Sequence, residues 1–166
     1  GQVTIPSGGM GKIAEQLATA LPKDSIRLNC QVASIDKNKS QVTLASGETL
    51  LARAIVIATD GATASKLSSA IEAPPSNIAN CLYFSADQAP INEPLLVLNG
   101  TDQGPINNLA VLTNVAKEYA PAGKHLISVT VLGHVSLDDQ LIKDVMSHAK
   151  AWFGDQVDSW QHLKSY

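Results

Sequence analysis

Ala54-Ile55-Val56-Ile57-Ala58-Thr59-Asp60-Gly61 is the stretch on which the fold turns. Five apolar residues in succession, without polar alternation, suit a strand buried on both faces. Strands of that kind belong to parallel sheets covered by helices. Thr59, Asp60 and Gly61 close the run, and residues 62–71 read as a short helix.

Upstream, the pattern is β-rich. Residues 25–28 and 32–36 read as strands, separated by a break at Asn29. Residues 41–45 and 48–52 flank Ser46-Gly47, a hairpin signal, and Lys37-Asn38-Lys39-Ser40 is the polar turn before them. Earlier still, Val3 to Ile5 reads as a short extended run that Pro6 ends. The turn Ser7-Gly8-Gly9-Met10-Gly11 leads into a helix, because Met10, Ile13, Ala14, Leu17, Ala18 and Leu21 fall on one helical face until Pro22 stops it.

Downstream, Pro74-Pro75 reads as a crossing between two regions. Residues 78–85, 95–99, 108–115 and 125–132 then read as longer strands joined through Pro90, Pro94, Pro105 and Pro121, the pattern of a mostly antiparallel sheet. A helix follows. Ser136 and Asp139 fit a capping box, with Asp138 and Asp139 placed against the positive helix end. Leu137, Leu141, Ile142, Val145, Met146, Ala149, Trp152 and Phe153 make its apolar face, Gly154 stops it, and residues 160–166 read as a strand in progress. The fold class is therefore α/β to α+β: a partial sheet with a β-hairpin insertion over residues 1–75, then an antiparallel sheet backed by a helix over 76–166. Both ends read as cut from a longer protein.

Composition narrows the function. Of 166 residues, 45% are hydrophobic and 16% charged, the profile of a globular core. A net charge of −3, scattered Lys and Arg and only 4% aromatics offer nothing to nucleic acid. No stretch reaches the roughly 20 apolar residues of a membrane span, and the N-terminal residues show no charged region followed by an apolar one as a signal peptide would, so a cytoplasmic location is the default expectation. Cys30 and Cys81 have no CxxC partner and read as small buried hydrophobes. His125, His134, His148 and His162 are dispersed, so no metal is expected. No G-x-S-x-G accompanies the serines, so no hydrolase is indicated.

Gly9-Met10-Gly11-Lys12-Ile13-Ala14 matches the dinucleotide fingerprint G-x-G-x-x-A literally. Pro6 and Ser7 interrupt the incoming strand, however, and Asn29 and Cys30 stand where an acidic residue is expected about 20 positions on. Glycines that permit a tight turn explain this segment better.

The order of elements resembles the superfamily of FAD-dependent amine oxidases, phytoene desaturases and protoporphyrinogen oxidases. Gly8-Gly9-Met10 opening a helix that ends in Leu21-Pro22, then Ile26-Arg27-Leu28-Asn29, Val32-Ala33-Ser34-Ile35, the Ser46-Gly47-Glu48 hairpin and Ala52 to Thr59 carry the resemblance, which is specific over residues 8–60 and weaker over 76–132. It implies that the Val32 backbone meets the adenine of FAD. It also implies that Ala58 and Thr59 end the strand beneath the adenosine half, and that Gly8 and Gly9 lie toward the cavity shared by flavin and substrate. The superfamily's pyrophosphate-binding glycine turn is expected upstream, so FAD belongs to the parent protein and this piece is not expected to retain it. No catalytic side chain is indicated.

A small hydrophobic or amine substrate is the expected partner, and the parent could associate peripherally with a membrane. A docking face left open on such a piece would drive self-association. A non-enzymatic ligand-binding or interaction module remains the alternative. Leu82, Phe84, Leu96, Leu98, Val111, Val129 and Val131 would suit a hydrophobic substrate or a plain core equally.

Overall fold

The computed structural model describes residues 4–73, 75, 77–101 and 103–166. They form two compact units, Gly1–Thr19 with Asn77–Tyr166 and Ala20–Ser76. The expected extended run at Val3 and the crossing at Pro74 fall partly outside the described residues.

In the larger unit, five antiparallel strands lie in the order β5-β6-β7-β4-β8. They are β4 (Ala79–Ala86), β5 (Leu96–Leu98), β6 (Asn108–Val111), β7 (His125–Leu132) and β8 (Gln161–Ser165), and helix α3 (Asp139–Phe153) covers one face. Alternation decides which residues meet the helix. Every second residue of β4 is buried, from Asn80 through Leu82 and Phe84 to Ala86, and β7 buries Ile127, Val129 and Val131. These pack with Leu109, Val111, Leu141, Val145, Ala149, Val157 and Trp160 into one core. Asn80, the polar residue on this side, is satisfied: its Nδ2 donates to the Val131 and Gly133 carbonyls at 3.2 and 2.9 Å. That bond pair ties the start of β4 to the end of β7.

The cap of α3 differs from the capping box expected at Ser136. The N-cap is Asp138, whose carboxylate accepts the Leu141 N–H at 3.0 Å, and Leu137 lies before the helix and half-exposed. A carboxylate at this position answers both the free N–H groups and the positive helix end, which a serine two residues earlier does not reach. Gly154, at φ 72°, ends the helix as expected. Asp138→Ala is expected to cost about 0.5–2 kcal/mol in thermal unfolding, whereas Ser136→Ala should change little. Equal losses in both variants would contradict this assignment of the cap.

The smaller unit holds an antiparallel sheet of β1 (Val32–Asp36), β2 (Gln41–Leu44) and β3 (Thr49–Leu51) and the short helix α2 (Gly61–Leu67). Asp60 caps α2 by accepting the Thr63 N–H at 2.9 Å, and the Thr63 side chain first and this N–H second hold its carboxyl below the usual range. Arg27 and Glu48 form a bidentate pair at 2.8 and 2.9 Å, joining segments 21 residues apart.

Two expected strands do not form. Residues 25–28 and 54–58 pair with no strand among the described residues, and Leu28 and Val56 stand 78% and 89% exposed. A strand buried on both faces needs neighbours for its backbone as well as its side chains. Among the described residues the chain supplies neither here, so the apolar run stays unpaired. Helix α1 (Gly11–Ala20) forms, yet none of its residues is buried, and Met10, Ile13, Leu17 and Leu21 all face solvent.

Candidate functional site

On the face of the five-stranded sheet opposite α3 the outward residues of the central strands are half-buried rather than sealed in a core. Its rows follow from the register. Leu96 pairs with Ala110, Ala110 with Ser128, Ser128 with Tyr83, and Tyr83 with Lys164. One step along, Leu98, Asn108, Thr130 and Cys81 line up in the same way. The face therefore carries hydroxyls, a thiol, phenols and an amine, with Leu96 and Leu98 exposed at one edge. Of the residues that sequence left open between substrate contact and core, Leu82, Phe84, Val111, Val129 and Val131 belong to the core under α3. The pleat turns them away from this face, leaving Leu96 and Leu98 accessible.

Strand β8 brings the chemistry together. Its pairing with β4 slips between Tyr83 and Phe84, so that Leu163 is the extra residue of a bulge. The bulge lets consecutive residues, Leu163 and Lys164, line the same hollow of about 410 Å³ together with Tyr83, Leu112, Tyr119, Leu126 and Tyr166. The Tyr83 and Tyr166 rings meet edge to face at 6.0 Å, and the Lys164 ammonium lies 4.5 Å from the centre of the Tyr166 ring. The Cys81 thiol is 3.2 Å from the Ser128 hydroxyl. The Tyr83 phenol is held above its usual pKa, first by the Cys81 thiol and then by burial. Neither cysteine is a buried hydrophobe as expected: Cys30 and Cys81 are free thiols at half-buried positions.

The residues singled out by sequence are spread over both units. Gly8 and Gly9 form a turn closed by the Gly9 N–H donating to the Pro6 carbonyl at 2.9 Å, and Gly9 needs its φ of 91°. A Cβ at Gly9 or Gly11 would meet nothing within 4 Å, so no close approach requires glycine there. The Tyr119 hydroxyl donates to the Pro6 carbonyl at 2.8 Å, fixing this turn to the wall of the tyrosine hollow. Val32 lies in β1, an edge strand whose pairing slips between Val32 and Ser34. Ala58 and Thr59 are exposed in the unpaired segment before α2, and the Thr59 hydroxyl donates to the Asp60 carbonyl. A hollow of about 430 Å³ in the same unit is lined by Ile35, Ala54, Ile55, Ile57 and the end of α2, and includes none of these three. An edge strand with a bulge leaves backbone N–H and C=O groups without strand partners. Among the described residues, no three His, Cys, Asp or Glu side chains gather as a metal site.

The model of one protein family, described as flavin containing amine oxidoreductase, matches residues 1–166. The chain belongs to that family. Three solved structures show how this flavin containing amine oxidoreductase chain folds. A reduced UDP-galactopyranose mutase matches with TM-score 0.71 and 16% identity over 98% of this chain and 39% of its own. A protein from Pyrococcus furiosus matches with TM-score 0.64 and 15% identity over 82% of this chain and 36% of its own. An oxidoreductase from Methanosarcina mazei matches with TM-score 0.54 and 17% identity over 81% of this chain and 36% of its own. The chain thus spans less than half the length of each structure, and identities this low speak for the fold alone. No curated protein matches the sequence.

Sequence reading missed the cluster of Cys81, Tyr83, Ser128, Lys164 and Tyr166. The signal was available: in β4 the residues between Asn80, Leu82, Phe84 and Ala86 are Cys81, Tyr83 and Ser85, the polar half of a period-two pattern.

Proposed function

We propose that this chain is the substrate-side portion of a FAD-dependent oxidoreductase acting on an amine or on a carbon–carbon bond, with the open sheet face turned toward the substrate. One observation carries the reading: in a chain matched along its whole length by a flavin containing amine oxidoreductase model, one face of the sheet is sealed by α3 and the other presents phenols, hydroxyls and an amine beside a hollow. Residues 1–75 would serve the flavin and 76–166 the substrate.

In such an enzyme the bound flavin supplies the redox chemistry, and the protein binds, orients and excludes water. Val32 would meet the adenine through its backbone. Ala58 and Thr59 would end the strand beneath the adenosine half, which would bring residues 54–58 into a sheet with chain from elsewhere in the protein. The exposure of Val56 and Leu28 supports that, since apolar strands stay unpaired only where their neighbours are not supplied. Gly8 and Gly9 would lie near the flavin edge of the substrate cavity, beside Tyr119. No helix among the described residues is long and apolar enough to cross a membrane.

Gel filtration after incubation with FAD tests the reading. The product of the whole reading frame is expected to elute with a yellow chromophore, and residues 1–166 alone to elute colourless. A colourless whole protein would overturn the flavoenzyme reading and favour a ligand-binding or interaction module built on the same sheet.

A further inference from the structure

We infer that the hollow between β8 and β4 takes an amphipathic organic anion, its apolar body against Tyr83, Leu126, Leu163 and Tyr166 and its acidic group on Lys164. The inference rests on the proposed substrate role of this face and narrows the substrate class.

The walls of this hollow are aliphatic side chains and phenol rings, and its volume of about 410 Å³ falls within the usual range for small-molecule sites. Lys164 is the one charged residue lining it, and no carboxylate does. Among the described residues Lys164 makes no ion pair, whereas Lys124 and Lys150 are held by Asp87 and by Asp155 and Asp158. Its one recorded partner is the Tyr166 ring, and a cation–π contact at an exposed site is weak enough to yield to a carboxylate. Another hollow on this unit makes the contrast. Its lining includes Lys117, Glu118 and Lys124, charges of both signs.

A protonated amine would be repelled from the tyrosine hollow at close range. A neutral apolar ligand would gain nothing from the ammonium, which is exposed and already solvated by water. The bulge at Leu163 is what makes the site amphipathic, because regular pairing would place Leu163 and Lys164 on opposite faces. Tyr83 stays a neutral hydrogen-bond donor beside the amine, since the Cys81 thiol and burial both oppose its ionisation.

Calorimetric titration of the flavin-loaded full-length protein with octanoate, octanamide and octylammonium separates the possibilities. Octanoate is expected to bind, octanamide at least about tenfold more weakly, and octylammonium not measurably. Lys164→Gln should bring octanoate down to the octanamide level, and Lys164→Arg should keep most of its advantage. Octylammonium binding as tightly as octanoate would overturn the inference, as would an unchanged octanoate affinity in Lys164→Gln or no binding of any probe. Flavin absorbance recorded on the same samples keeps the two readings apart: a protein that holds its flavin but ignores octanoate loses this inference alone. A protein that binds octanoate without ever holding flavin loses the oxidoreductase reading alone.

Discussion

Phe84→Ala is expected to lower the unfolding free energy of the sheet-and-helix unit by about 3–5 kcal/mol, most of the stability of an ordinary domain. Phe84 is fully buried in the middle of β4, and its ring lies 5.9 Å from that of Trp160 and 5.5 Å from that of His162. Removing the ring leaves a cavity between the central strands and α3. The neighbours cannot collapse into it, because β4 is paired on both sides, with β7 and with β8. Trp160 reports on the same core, so urea titration followed by tryptophan emission measures the loss directly. Leu98→Ala is the control: Leu98 is 66% exposed on the edge strand, and its truncation should stay within about 0.5 kcal/mol of the parent. If both variants lost the same amount, the division of the sheet into a sealed and an open face would be wrong.

Gly104→Ala is expected to cost about 2–6 kcal/mol, from a strained backbone and an overfilled site together. Gly104 has φ 70°, and an added Cβ would lie 2.3 Å from Nδ1 of His148 on α3. That ring cannot swing away cheaply. Its Nδ1 accepts the Ile106 N–H at 3.2 Å, and its edge meets the Trp152 ring at 4.6 Å. Burial pushes the His148 imidazole below its ordinary pKa, which keeps Nδ1 free to accept. A double-mutant cycle with His148→Ala separates the contributions. Removing the ring should relieve the clash and leave the backbone strain, so the two substitutions together should cost clearly less than their sum. Strict additivity would show that the contact with His148 is not what requires glycine at this position.

The elements most legible in the sequence were those whose partners lie within the chain. The period-two runs of β4 and β7 and the apolar face of α3 carried their own evidence, because Leu82, Phe84, Val129 and Val145 all find one another in a single core. The run Ala54 to Ala58 is apolar as a buried strand requires, yet it forms no strand, because pairing is a property of two strands and no described strand meets it. The cap of α3 was misplaced by two residues because Ser136, Asp138 and Asp139 all suit a helix start, and only backbone geometry chooses among them. The open face was hidden for a different reason. Its residues are ordinary one by one, and Lys164 reaches Tyr166 and the neighbourhood of Tyr83 only through a bulge that no local composition announces.

The Asn80 side chain, clamping two carbonyls at the far end of β7, has a consequence for how this sheet could diversify. It pins the strand register independently of anything on the outward surface, since a slip by one residue would strand a buried amide without acceptors. Descendants of this gene could therefore rewrite Cys81, Tyr83, Ser128 and Thr130 to suit a new compound while the scaffold keeps its alignment. New chemistry would be gained at those four sites without renegotiating the architecture beneath them.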